Sequence, residues 1–161
     1  MKYYIIAGEA SGDLYGSRLI DEIKSIDREA NIRFWGGDKM ILSGGLNAKH
    51  IKELAFMGFY EVFKNIFTIR KNINFCKKDI CDFNPDKIIY IDYPGFNLLI
   101  SKWAKKKGFK NYYYISPQIW AWKENRIKTI KENIDKLYVI FPFEREYYSD
   151  RHNLKSEFYG H

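Results

Sequence analysis

The sequence predicts an α/β fold, a Rossmann-like parallel sheet with helices on both faces. Three observations predict it. Short strand-like runs alternate with helix-period segments from the first residues onward, the order that builds βαβ units with right-handed crossovers. The run Lys87-Ile88-Ile89-Tyr90-Ile91 is apolar without alternation, as a strand covered on both faces must be. No repeat, low-complexity tract or Pro/Ser-rich linker divides the 161 residues, so a single domain over 1–161 is expected.

The elements follow in order. Tyr3–Ala7 reads as the first strand. Leu14–Ile26 reads as a helix with Gly16, Leu19, Ile20 and Ile23 on one stripe, where Gly16 would let the helix lie close to the sheet. Asn31–Trp35 is a second strand, Asp38–Ser43 a short helix stopped by Gly44-Gly45, and Asn47–Ile51 a short strand. A longer helical pattern covers residues 59 to 83, before the strand that ends at Asp92. Asn97–Lys107 reads as a helix ended by Gly108, with Lys105, Lys106 and Lys107 in the last turn, where the helix dipole favours cations. Asn111–Ile115 is a strand, Lys123–Asn133 a helix, Lys136–Ile140 a strand and Phe143–Arg151 a last short helix. Ser156–Tyr159 reads as one more strand.

Bulk properties narrow the function classes. A net charge of +7 favours anionic partners: nucleic acid, nucleotide, phosphorylated substrate or an anionic membrane surface. Cys76 and Cys81 form neither a redox pair nor a zinc half-site, and His50, His152 and His161 lie in no metal-ligand pattern, so a reduced, cytosolic setting is expected. No run approaches the ~18 apolar residues of a spanning helix. The apolar run Tyr3–Ala7 is too short for a signal-peptide core, so neither secretion nor membrane spanning is expected.

Four segments carry candidate chemistry. Asp92 closes a strand and precedes the Pro94-Gly95 turn, where open α/β sheets place ligands; it is either a catalytic or binding carboxylate or a cap for the next helix. The loop Ala7-Gly8-Glu9-Ala10-Ser11-Gly12-Asp13 exposes backbone N–H groups at a helix start. Glu9 and Asp13 would repel a pyrophosphate and suit hydroxyl-rich ligands; the plainer alternative is a tight turn with Asp13 as cap. Ser116-Pro117-Gln118-Ile119-Trp120-Ala121-Trp122 breaks a strand at the same sheet end as Asp92. Its Trp rings form a ligand wall or interface anchor, or a core-packing loop, and core packing is expected for at least one of Trp120 and Trp122. Phe59, Val62, Phe63, Ile66 and Phe67 make an apolar helical stripe that packs on the sheet or lies in a membrane interface. Lys123, Arg126, Lys128 and Lys131 read as a solvated face or a draw toward anionic lipid.

Taken together, Ala7-Gly8-Glu9-Ala10-Ser11-Gly12-Asp13, Leu54-Ala55-Phe56-Met57-Gly58 with Glu61-Val62, Pro85-Asp86, Ile91-Asp92-Tyr93-Pro94-Gly95-Phe96-Asn97, Ser116 to Trp122, Pro142-Phe143-Glu144 and Gly160-His161 resemble the N-terminal half of the lipid-A-disaccharide synthase family. The motifs run in the family's order over nearly the whole chain. The resemblance implies the N-terminal half of a two-domain B-type glycosyltransferase, the nucleotide-binding C-terminal domain being absent from this chain. The implied reaction joins UDP-2,3-diacylglucosamine to 2,3-diacylglucosamine 1-phosphate, giving the lipid A disaccharide 1-phosphate and UDP.

The resemblance also implies roles. Asp92 matches the proposed general base of an inverting transfer. Gly8, Glu9, Ser11, Gly12, Asp13 and Asn97 would bind the sugar, and Ser116, Gln118 and Trp120 would line the cleft. Met57, Phe59, Val62, Phe63, Ile66 and Phe67 would meet acyl chains or the membrane. No cofactor, no metal and no nucleic acid are implied, and the site of action would be the cytoplasmic face of the inner membrane, held peripherally. Some family members carry a second acid where Gly95 stands here, and the chain stops where the first domain hands over, so inactivity alone is expected. Another sugar-nucleotide enzyme of the same fold, such as an epimerase, and a basic nucleic-acid-binding module are the competing readings.

Overall fold

A computed structural model describes residues 1–54 and 66–160, with Ile66 described in its backbone only. Among these residues seven strands form one parallel sheet: β1 Lys2–Ala7, β2 Asn31–Gly36, β3 Leu46–His50, β4 Lys87–Ile91, β5 Asn111–Tyr114, β6 Lys136–Val139 and β7 Glu157–Phe158. Their spatial order is β3-β2-β1-β4-β5-β6-β7. The order reverses between β1 and β4, which makes that junction the topological switch point.

Among the described residues six α-helices connect them: α1 Ala10–Ile26, α2 Asp38–Ser43, α3 Ile66–Phe83, α4 Pro94–Lys106, α5 Ile127–Asn133 and α6 Pro142–Glu146. The strands are apolar on both sides because both sides are covered. Tyr4, Ile6, Trp35, Ile88, Tyr90 and Tyr113 pack with Cys76, Ile80, Ile100, Ala104 and Ile130. The alternate residues Ile5, Ala7, Ile32, Phe34, Ile89 and Ile91 pack with Ile20 and Met40. Each fully buried Ile, Phe or Met side chain among them contributes about 1.5–3 kcal/mol from area removed from water.

Several boundaries differ from the sequence reading, each for a local reason. Helix α4 begins at Pro94 rather than Asn97: Pro occupies the first turn, and Tyr93 before it turns left-handed at φ 49°. The expected helix from Lys123 is a 3₁₀ turn at Glu124–Arg126 followed by α5, because Lys123 itself is left-handed at φ 57°. The last helix is α6 followed by a π-turn over Tyr147–Arg151. Gly16 does permit a close approach, but to α2: a Cβ there would stand 2.5 Å from Met40 Sδ. Among the described residues no helix is long and apolar enough to cross a membrane.

Candidate active site

All strands run the same way, so the turns after β1, β4 and β5 leave from one rim, side by side at the switch point. The centre of this rim is strained. Asp92 (φ 42°), Tyr93 (φ 49°) and Ile115 (φ 68°) are all left-handed, and for a β-branched residue such as Ile115 that conformation is a true outlier. The backbone around Asp92 is clamped to hold it. The Asp92 N–H donates to the Ile115 carbonyl at 3.3 Å. The Asp92 carbonyl accepts from Asn97 Nδ2 and from the Tyr113 hydroxyl, each at 2.7 Å.

The Asp92 side chain is half-buried. Burial pushes its carboxyl above the ordinary aspartate range, opposed by the Tyr93 N–H and by the nearby Arg126 guanidinium. Asp92 is therefore a carboxylate kept partly dry yet within the field of a cation, an arrangement suited to taking a proton.

The β1–α1 turn meets the turn after β4 through Tyr93. Gly8 has the Tyr93 ring on it, since a Cβ there would lie 2.4 Å from two ring atoms. Tyr93 is pushed up to about 12 by burial and by the charge of Glu9. Glu9 and Ser11 are exposed at the rim, Glu9 as the helix N-cap without a side-chain cap bond. Gly12 admits a close approach to Ala7, whose Cβ would stand 3.1 Å from an added Cβ.

Two residues expected to bind sugar are committed to the protein instead. Asp13 is buried, and its carboxylate accepts from the Gly37 N–H at 2.7 Å and from Lys39 and Met40 at 3.1 Å each. It caps α2, not its own helix, because α1 packs against α2 and brings a carboxylate to those orphan donors. Asn97 is fully buried and ties β1 to β4, its Nδ2 reaching the carbonyls of Ile6 (3.5 Å), Ile91 (3.4 Å) and Asp92. Its contribution to the site is to hold Asp92.

The loop after β5 forms the other wall. Ser116 is buried against Tyr148, whose hydroxyl donates to the Pro117 carbonyl at 2.9 Å. Gln118 is exposed, and its carbonyl accepts the N–H groups of Ala121 and Trp122. The expected core packing of a Trp does not occur: Ile119 takes the buried place, while Trp120 stays 40% and Trp122 52% exposed. The Trp120 Nε1–H donates at 2.9 Å to Glu144, a fully buried carboxylate that also accepts the N–H groups of Ile140 and Phe141. The Trp120 ring meets Phe143 edge-on at 5.0 Å.

Sequence reasoning missed Arg126, Tyr113 and Glu144 as parts of this rim. Arg126 reads as part of a solvated face or a draw toward anionic lipid, and the left-handed Lys123 before its 3₁₀ turn leaves no clear mark in the sequence. Glu144 reads only as part of the Pro142-Phe143-Glu144 motif, because Phe141 has no side-chain acceptor and so gives no capping-box signal. Of the lipid-contact candidates, Met57, Phe59, Val62 and Phe63 lie outside the described residues, as does the Ile66 side chain. Phe67 is 84% exposed, and Phe75 and Leu99 are also exposed.

A family model described as lipid-A-disaccharide synthetase matches residues 3–161. The chain belongs to that family. Proteins named lipid-A-disaccharide synthase from Coxiella burnetii (strain Dugway 5J108-111) and Trichlorobacter lovleyi are 40% and 41% identical to it over 157 residues. One from Francisella tularensis subsp. tularensis is 39% identical over 165 residues. These alignments cover 98–100% of the chain but 41–42% of the relatives, so the family member described here spans about two-fifths of their length. A solved UDP-GlcNAc 2-epimerase from Neisseria meningitidis, bound to UDP-GlcNAc, shares the fold at TM-score 0.60 and 11% identity, over 94% of this chain and 43% of the epimerase.

Proposed function

We propose that the protein carrying this chain is a lipid-A-disaccharide synthase, and that the chain is its acceptor-side, single Rossmann-like domain over 1–161. It joins UDP-2,3-diacylglucosamine to 2,3-diacylglucosamine 1-phosphate with inversion. The single observation that carries this reading is Asp92, clamped by hydrogen bonds in a strained conformation at the switch point and half-buried there.

A sugar hydroxyl is a weak nucleophile until its proton leaves. The Asp92 carboxylate accepts that proton as the hydroxyl oxygen attacks the anomeric carbon of the donor. The bond from that carbon to the UDP oxygen breaks, and its electron pair departs with UDP. A carboxyl raised by burial is a stronger base than an exposed one. One base suffices, because UDP leaves without the second acid that glycosidases use.

Glu9 and Ser11, exposed in the turn after β1, are the groups of that turn left to meet sugar hydroxyls, with exposed Gln118 and Trp120 in the loop after β5. The nucleotide belongs to the additional length that the relatives possess. Exposed Phe67 supports contact with acyl chains or with the anionic inner face of the membrane, where the enzyme works peripherally. The test is turnover by the full-length gene product with purified donor and acceptor. Wild-type protein forms the disaccharide, and Asp92→Asn loses turnover by orders of magnitude. Near-normal turnover by Asp92→Asn removes Asp92 from the base role.

A further inference from the structure

The loop between β5 and α5 carries a cationic feature that the proton transfer does not use. Two cations flank one indole: Lys123 Nζ stands 4.2 Å from the Trp122 ring and the Arg126 guanidinium 5.7 Å from it. Arg126 is half-buried. Among the described residues its guanidinium enters no ion pair, unlike those of Arg33 and Arg151. The acid closest to it in the chain, Glu124, is taken: it accepts from the Tyr147 hydroxyl at 3.0 Å and pairs with Arg151 at 3.4 Å and His152 at 3.3 Å.

The loop is fixed at both ends. Trp120 is held by buried Glu144, and Glu124 is held by the π-turn. Between them the left-handed Lys123 accepts the Arg126 N–H at 3.0 Å, which closes the turn. A guanidinium set against an indole keeps its fork of donors in one plane, the geometry that grips a phosphate. Holding it beside an acid without pairing the two wastes attraction unless a further anion arrives.

We propose that Arg126, with Lys123 beside it, is the phosphate-binding wall of this site, placed to hold a phosphoryl group of a substrate next to Asp92. The inference rests on the proposed transfer and deepens it. That reaction offers two phosphates, the monoester of the acceptor and the diphosphate of the donor. Arg126 also acts on the base: its charge favours the ionised Asp92 carboxyl, so a bound phosphate partly neutralises it and strengthens the base as substrate arrives.

The experiment uses the full-length gene product, wild type against Arg126→Gln, Arg126→Lys and Lys123→Gln, with thermal melts to verify folding. Titration calorimetry measures binding of glucosamine 1-phosphate, glucosamine and UDP; kinetics compare acceptors with and without the phosphate. Loss of one charge-assisted contact weakens phosphate binding roughly 10- to 100-fold. Arg126→Gln is expected to lose that factor, and Arg126→Lys to recover part of it. If the loss falls on glucosamine 1-phosphate and vanishes on glucosamine, the phosphate is the acceptor's. If it falls on UDP and persists with both acceptors, the phosphate is the donor's. Either result supports the wall. Phosphate binding by folded Arg126→Gln equal to wild type for both ligands overturns it. Wild-type protein that binds phosphate through Arg126 yet makes no disaccharide overturns the transferase reading and leaves the wall standing.

Discussion

Replacing Asp13 with Ala separates a structural carboxylate from a sugar-binding one. In the structure its two oxygens serve three N–H groups at the start of α2. Truncation leaves the buried Gly37 and Met40 donors without an acceptor, at about 1–3 kcal/mol each, while the Lys39 donor is partly exposed and rehydrates. The sum is about 4 kcal/mol, a large share of the ~5–15 kcal/mol that holds a typical domain together. For a chain of this size about 2–4 °C of Tm accompanies each kcal/mol, so Tm falls by roughly 8–16 °C. Circular dichroism melts read the shift directly. A parallel urea titration should show a lower midpoint at unchanged slope, the mark of lost stability rather than a changed denatured state. The reasoning fails if Asp13→Ala melts within about 3 °C of wild type and instead loses affinity for the sugar.

Four further outcomes follow from the same geometry. Asp92→Asn should cost about 10²–10⁴-fold in turnover and yet raise Tm near pH 7; a lower Tm there refutes the burial argument. Its raised folded-state carboxyl means that ionisation destabilises the fold at neutral pH, and the gain should vanish below the unfolded pKa of about 3.9, where both states are protonated. The acid limb of kcat/KM should lie above the ordinary carboxylate range, and Arg126→Gln should move it to still higher pH; an unmoved limb would show that Arg126 does not act on the base. Gly8→Ala should displace the Tyr93 ring and lower turnover at least ~10-fold in a folded protein, visible as a shifted ring in a crystal structure; an unshifted ring removes the support role of Gly8. Phe67→Glu should leave stability within about 0.5 kcal/mol, because the ring is solvent-facing, while reducing co-sedimentation with anionic vesicles; unchanged partitioning argues against membrane contact there.

The strands and their order of appearance were legible because buried parallel strands write themselves as apolar runs, and β4 is the clearest case. The rim was legible as well: Asp92, Gly8 and the Trp120–Trp122 loop were placed at one sheet end by alternation alone, and the parallel sheet puts them there. What could not be read was the direction of each polar side chain. Asp13 reads as a ligand group or as a cap for α1, and it caps α2, a partner 24 residues away in sequence at Gly37. Asn97 reads as the start of a helix and, by resemblance, as a sugar-binding group, until α4 is seen to begin three residues earlier and to turn that amide onto the Asp92 carbonyl. Long-range hydrogen bonds leave no periodic trace, so their residues are the ones misassigned. Arg126 is obscured by the reverse effect: a convincing helical pattern conceals the left-handed Lys123 and the 3₁₀ turn in which Arg126 sits.

The strain around Asp92 is the strongest reason to regard this rim as functional. A non-glycine residue held left-handed costs on the order of 1–3 kcal/mol, and here three meet at the ends of two adjacent strands. A fold selected for stability alone would relax them, for instance with glycine at Tyr93, where a ring instead sits on Gly8. The surrounding bonds over-determine the arrangement: Asn97 and Tyr113 hold the Asp92 carbonyl, and Ile115 holds its N–H. None of these three contacts touches the Asp92 carboxylate, which takes the Tyr93 N–H, so they fix where it stands without consuming its oxygens. Strain that is tolerated, clamped from behind and aimed at one acidic group follows from a need for position at that group, and position is what a base must have before its pKa matters.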